Sequence, residues 1–295
     1  MTPALKIASG SLAVGVLVLL IKSVAYWMTG SIALLSDALE STVNVATAIA
    51  AIMAVRIAAK PADDNHPYGH HKAEFFSALL EGVMIIVAAL VIIHQAYAAL
   101  RNPVPLDAPL SGLAVNILAS IINGIWCWVL MSRGKLLRSP ALIADGHHLL
   151  SDVVSSVGVT FGVLLAVAFR WPILDPVLAL LVAVSILWSG WKVLNASVSG
   201  LMDESVPDDV LQTIHTAIAS EGAGALQAHD IKARHAGQAT FIDFHLVVPG
   251  EMTVADSHDI CDRIETLLEQ EIAGAIISIH VEPETKAKRT GVVRV

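Results

Sequence analysis

The sequence predicts a membrane α-helical bundle of six transmembrane helices followed by a smaller C-terminal cytosolic α+β domain. Three observations carry this. Of 295 residues, 55% are hydrophobic and only 15% charged, and mean hydropathy is +0.69; a soluble domain carries about a quarter charged residues. Six apolar stretches each exceed the roughly 20 residues that a spanning helix needs. After about residue 204 the pattern changes to short amphipathic segments. Three regions follow: a transmembrane domain over 1–204, a cytosolic domain over 205–286 and a flexible tail over 287–295.

The spans fall at about 5–28, 30–56, 74–100, 108–131, 140–169 and 173–198. The first lacks a small-residue cleavage site and is too long for a signal peptide, so it reads as a span. Only Thr29, Gly30 and Ser31 separate it from the second, which makes a tight hairpin. Pro103 and Pro105 break the chain after the third, and Arg170, Trp171 and Pro172 part the fifth from the sixth. Loop charges orient the bundle. Arg56, Lys60 and Lys72 follow the second span and Arg133, Lys135 and Arg138 the fourth, whereas the opposite loops offer Arg101 and Arg170. The positive-inside rule therefore places both termini in the cytoplasm. Tyr26, Trp27 and Trp171 fall near the predicted interfaces, where amphipathic rings sit.

In the C-terminal region, VPDDVLQTIHTAIASEG reads as an amphipathic helix that starts after a proline and ends at glycine. ALQAHDIKARHAG and ATFIDFHLVVPG alternate apolar and polar around a glycine turn, so they form a hairpin. TVADSHDICDRIETLLEQEI has helical period with Thr253 as its cap, and AIISIHVEP is a final strand. The order αββαβ gives a unit of roughly 80 residues, large enough to fold alone. KAKRTGVVRV reads as a frayed tail.

The net charge of −8 argues against a nucleic-acid partner. Cys127 and Cys261 lie in different regions and support neither a disulfide framework nor a thiolate metal cage.

The informative anomaly is IADGHHLLSDVVSSVGVTFGVLLAV, residues 143–167, a span whose first half is polar. His148 and Asp152 are four apart and share a helical face. Asp145 sits a further turn toward the cytoplasm on a neighbouring stripe, and His147 points about 100° away. In the second span, Asp37, Ser41 and Asn44 form one stripe with Glu40 beside it. Each uncompensated charge costs at least about 2.5–3.5 kcal/mol at the membrane centre. Two such clusters on two helices are cheapest facing each other, and a divalent cation between them offsets the cost, because carboxylate and imidazole are its ligands. The plain alternative is that the groups pair with one another inside the bundle without metal. Ser151, Ser155, Gly158 and Gly162 form a small-residue stripe that allows close helix approach and would bring the two faces together.

Outside the membrane, PADDNHPYGHHKAE holds Asp63, His66 and His70 at spacings that suit an N/O metal site. The C-terminal domain adds His229, His235, His245, His258, His280 and Glu282 from separate elements. His280 and Glu282 share a face of their strand, since strand period is two.

These motifs taken together resemble the cation diffusion facilitators, in particular the bacterial zinc–proton antiporters among them. The likeness covers nearly the whole chain and rests on the acidic second span, PADDNHPYGHHKAE, ADGHHLLSD, and AHD, FHL and IHVEP in the tail domain. It implies a homodimer in a bacterial inner membrane, with a cytosolic domain like a metallochaperone. It implies a four-coordinate transport site at Asp37, the position of Ser41, His148 and Asp152, a loop site at Asp63, His66 and His70, and a cytosolic site drawing on His229, His245, His258, His280 and Glu282. The family usually has Asp at the last of these positions. Lys72 and Asp203 resemble a pair that ties the two domains together. One departure matters: the zinc antiporters carry a second Asp where this chain has Ser41, a weak neutral ligand. Asn44, Glu40 or Glu81 of the third span could complete the site instead.

The resemblance implies export of Zn2+ in exchange for protons by alternating access, with Co2+, Fe2+, Ni2+, Cd2+ and Mn2+ as alternative substrates. His148 must be neutral to bind metal, so binding releases protons. Two rival classes are weaker. An intramembrane metalloenzyme needs a metal-bound water and a general base, and the chain lacks HExxH and any nucleophile with a paired base. A membrane-anchored metal sensor leaves Asp37, His148 and Asp152 without a purpose.

Overall fold

The computed structural model describes residues 2–29, 32–101, 110–169, 171 and 173–295. Gly30, Ser31, Pro103, Pro105, Arg170 and Pro172 lie outside the described residues, as do the side chains of Asp37 and Glu40. The chain forms two units, Met1–Val198 and Ser199–Val295.

The first unit is built on six long helices: α1 (Pro3–Thr29), α2 (Ile32–Ala58), α3 (Ala73–Arg101), α4 (Leu110–Leu136), α5 (Pro140–Phe169) and α6 (Leu174–Leu201), the last running into the second unit. The shortest has 27 residues, about 40 Å at 1.5 Å per residue, which exceeds the roughly 30 Å hydrocarbon core. Among the described residues, all but α5 contain a stretch long and apolar enough to cross a membrane. Large apolar side chains such as Trp128, Phe161, Leu181 and Trp188 are exposed on the unit's outside, as lipid-facing positions require.

The helices pack through small residues. α1 lies against α2 and α4, and α5 against α4, α3 and α2. A Cβ at Gly82 would lie 2.9 Å from the Leu194 backbone nitrogen, and one at Gly190 2.9 Å from Ile86 Cγ1. Those two glycines let α3 and α6 touch. The small-residue stripe of α5 works differently from the expectation. A Cβ at Gly158 would meet Val182 Cγ2 at 2.5 Å, so Gly158 admits α6, not α2. Ser151 and Ser155 turn their hydroxyls back onto the carbonyls of His147 and Asp152.

α5 starts on a buried cap. Ser139 Oγ accepts from Leu142 N–H and donates to the Glu74 carboxylate of α3. Glu74 is 2% exposed and also accepts from the Ala141 backbone. A negative group at a helix N-terminus satisfies orphan donors and suits the macrodipole, so this contact sets where α5 begins.

The second unit is the expected α+β fold. It comprises α7 (Asp208–Glu221), β1 (Gln227–Ala236), β2 (Ala239–Val248), α8 (Val254–Glu271), β3 (Ala275–Pro283), a 3-10 turn (Glu284–Lys286) and β4 (Val292–Arg294). The sheet order is β3-β2-β1-β4. β1 and β2 form an antiparallel hairpin around Gly237, whose φ is 55°, and α8 provides the crossover that lets β3 lie parallel to β2. Ile214 and Ile218 of α7, Ile242, Phe244 and Leu246 of β2, and Ile264 and Leu268 of α8 fill the core. Thr253 caps α8, its Oγ1 accepting from Asp256 N–H at 3.1 Å.

The tail departs from the sequence reading. Residues 292–294 are not frayed; they form β4, which pairs antiparallel with β1, and Val293 and Val295 pack against the core. Three residues are too few to display alternation, but their two β-branched side chains find apolar cover at the sheet edge.

Candidate metal centres

In the membrane unit, α2 and α5 bring Asn44, His148 and Asp152 together. The Asn44 amide donates to Asp152 Oδ2 at 2.6 Å, and its Oδ1 lies 2.9 Å from His148 Nε2. Asn44 is 8% exposed and His148 5%. An amide oxygen can only accept, so Nε2 carries the proton and Nδ1 keeps a lone pair. That Nδ1 is buried with no partner among the described residues. Orphaned buried acceptors are rare in folded chains, and this one suits a metal.

Ser41, 1% exposed, lies one turn from Asn44 on α2. It lines a small cavity with Asn44, Ser11, Asn123 and Asp145. Asp145 accepts from Ser11 Oγ of α1, which explains how an acid is kept there. Glu81 is fully buried, with Ser77 Oγ 3.5 Å from its Oε1 and, among the described residues, no partner for Oε2. Its charged neighbour is Asp145, not the His148 cluster. His147 faces α6, with Nδ1 3.3 Å from Ser189 Oγ. Asp37 and Glu40 belong to α2, but their side chains lie outside the described residues.

The loop between α2 and α3 gathers Asp63, His66 and His70, with one ligand atom from each within 4.8 Å of the others. Asp63 Oδ1 is 3.2 Å from His66 Nδ1 and Oδ2 is 3.4 Å from His70 Nε2. Asp63 Oδ1 also accepts from the backbone N–H of His66 at 2.8 Å and of Asn65 at 3.0 Å. The His66 amide, ahead of the other contacts, holds the Asp63 carboxyl below its ordinary value. Burial and the neighbouring His70 keep His71 lowered as well.

In the second unit, strand register makes a row of imidazoles. His229 of β1 is opposite His245 of β2, which is opposite His280 of β3. Ring centroids are 5.2 Å and 4.9 Å apart along the row, the spacing of neighbouring strands. Glu282 runs beneath it: Oε2 is 3.3 Å from His229 Nε2, and Oε1 is 3.4 Å from His245 Nδ1 and 3.8 Å from His280 Nε2. Nδ1 of His229 is buried with no partner among the described residues, whereas Nδ1 of His245 has the Glu282 carboxylate beside it. His258 is elsewhere, exposed on α8 with Nε2 3.6 Å from Asp262 Oδ1. His235 is near Thr240 at the far end of the hairpin. Asp203 Oδ1 is held by Arg234 Nη1 at 3.0 Å within this unit.

The family model for the cation efflux transmembrane domain matches residues 10–202, and that for the cytoplasmic domain of cation efflux proteins matches residues 206–284. The chain belongs to the cation diffusion facilitator family. An uncharacterised transporter of Synechocystis sp. is 46% identical over 259 residues, covering 88% of this chain and 84% of that one. The cation-efflux pump FieF of Escherichia fergusonii is 30% identical over 288 residues, or 96% of this chain and 94% of that one. FieF of Yersinia pestis is 32% identical over 283 residues, or 94% and 91%. A solved structure of CzrB in its Zn form is 41% identical, covers 30% of this chain and 99% of that one, and has a TM-score of 0.28. As a facilitator, this chain is a cation efflux transporter of the membrane, with a transmembrane domain and a cytoplasmic domain.

Several residues of this facilitator escaped the sequence reading. Glu74 stands at the end of the PADDNHPYGHHKAE motif, and nothing in that pattern shows that it caps α5. Lys22, 7% exposed on α1, is a second buried charge, and a lone Lys in an apolar run was the available signal. Asp230 is a third. Strand alternation would send it to the face opposite His229, but a bulge between His229 and Lys232 and a φ of 52° at Asp230 break that alternation.

Proposed function

We propose that this facilitator exports Zn2+ in exchange for protons, through a site formed by His148, Asp152 and Asp37 with Ser41 as the remaining oxygen donor. The observation that carries the reading is the buried lone pair on His148 Nδ1, two contacts away from the Asp152 carboxylate through Asn44. Imidazole and carboxylate are the donors that zinc prefers at an open site. Metal binding requires neutral imidazole, and a proton delivered to His148 from the outer side expels the ion. Asn44 holds both ligands in the metal-free state and orients the ring, as outer partners of metal-binding histidines do.

The protein works as a homodimer with both termini in the cytoplasm. The helices carrying the site rock between inward-open and outward-open states. Asp63, His66 and His70, and separately His229, His245, His280 and Glu282, bind metal on the cytoplasmic side and bias that equilibrium. The test is flux in proteoliposomes carrying a pH gradient. Wild-type protein should move zinc against protons and His148→Ala should not; unchanged flux in that variant would sink the mechanism. Competition with cobalt, iron(II), nickel, cadmium and manganese then settles the substrate.

A further inference from the structure

The chain after β3 crosses the end of the sheet nearest the histidine row. β3 and β4 are the outer strands of the sheet, and both lie at the end where β2 finishes and β1 begins. Residues 284–291 must therefore span that end, from the edge beside Glu282 to the edge beside His229. Midway, Lys288 is pinned three times. Its N–H donates to Gln227 Oε1 at 3.1 Å, its carbonyl accepts from Gln227 Nε2 at 3.3 Å, and its Nζ lies 2.6 Å from Asp230 Oδ2.

Asp230 is the residue that the bulge turns toward the row. Ligand atoms of His229, Asp230 and His245 all lie within 4.8 Å of one another. Asp tolerates a positive φ better than most side chains, so the distortion is compatible with a purpose at this position. The His229 Nδ1, buried with no partner among the described residues, supplies a second, independent sign that a cation belongs beside it.

We propose that the Lys288 ammonium is a built-in competitor for this cation: it holds the Asp230 carboxylate that a metal bound by His229 and His245 takes as a further ligand, so metal binding releases the side-chain anchor of the strap 284–291 and leaves Lys288 held by the Gln227 amide alone. This rests on the reading of the histidine row as a metal site. An ammonium and a divalent ion cannot share one carboxylate oxygen at full strength. Lys288 and Asp230 side chains are 46% and 41% exposed, and such pairs are weak and screened by salt, so a metal displaces the lysine readily. β4 stays in place, because its backbone pairing with β1 and the packing of Val293 and Val295 do not involve Asp230. Occupancy of the site is thereby converted into mobility of one surface segment.

The test is hydrogen exchange over 284–291 in the full-length protein, with and without zinc, beside a zinc titration of each variant. Zinc should speed exchange in 284–291 but not in β4 or α8. Lys288→Met should make the segment fast without zinc and tighten zinc binding about two- to fivefold at low salt, the effect of removing an exposed ion pair. Asp230→Asn should also free the segment but weaken binding. His245→Ala identifies the share of binding that belongs to the row. If wild-type protein binds zinc at the row while the strap is unchanged or slowed, or if Lys288→Met leaves the affinity unchanged, the competitor role is overturned and the site stands. If zinc binding does not respond to His245→Ala at all, site and competitor fall together.

Discussion

The Asn44 side chain donates to Asp152 Oδ2 at 2.6 Å, so a neutral amide stands against a carboxylate inside the membrane. Its oxygen meanwhile engages His148. Replacing Asn44 with leucine removes both bonds and frees the imidazole to rotate. Loss of such a supporting partner lowers metal affinity roughly 10–100-fold. Zinc-dependent flux in Asn44→Leu proteoliposomes should show a matching rise in the half-saturating concentration, with the helical circular dichroism unchanged.

Ser41→Asp restores a carboxylate on the face of α2 that carries Asn44. An added negative ligand strengthens binding of a divalent ion. Competition flux should then show tighter apparent zinc binding and slower release, and a changed rank among the divalent metals. An unchanged rank would mean that position 41 is not in contact with the ion.

Glu74 and Ser139 fix the start of α5, the helix that carries His148 and Asp152. Ser139→Ala should lose about 0.5–2 kcal/mol of stability, as cap deletions do. Glu74→Ala should lose about 1–3 kcal/mol by leaving buried donors unmet. Thermal unfolding in detergent reads both, and a neutral result for the pair would remove the cap from the account.

The loop carboxylate gives a pH prediction with a definite sign. Asp63 is held below its ordinary value of 3.8, first by the His66 amide. A depressed acid contributes to its turn above the unfolded value, and the contribution is lost as pH falls through the folded value. The Asn65 and His66 amides should stay protected from pH 7 down to about pH 4 and lose protection below it. Amide exchange across that range, with Asp63→Asn as the reference, tests this.

Truncation after Gly291 removes β4 and uncovers the core beneath Val293 and Val295. Fully burying one valine side chain is worth about 1.5–3 kcal/mol. The cytoplasmic domain should melt earlier, whereas the membrane helices should not.

Much of this was legible from residues alone. Length and apolarity mark the six helices, because a bilayer imposes one dimension on each. The i, i+4 relation of His148 and Asp152 puts both on one face of α5, and both side chains reach Asn44. What a neighbour does was less legible. A stripe of small residues says that something approaches closely, not which helix, and Gly158 admits Val182 of α6. Asn44 stood among several candidates because an amide has no charge to betray it. His258 and His280 looked equivalent in the sequence, yet one points off α8 while the other continues a row set by strand register. Asp230 was hidden by the alternation rule that its bulge breaks.

That row also bears on how the domain assembles. His229 and His245 sit on a local hairpin, but His280 arrives on β3 only after the whole of α8 has been traversed. Parallel pairing of this kind closes late, since loop entropy is spent before the contact forms. An ion bridging all three would act as a rivet on the last seam to close, and its binding energy would add to the folding energy by mass action. The melting temperature of this domain then becomes a gauge of free metal in the cell.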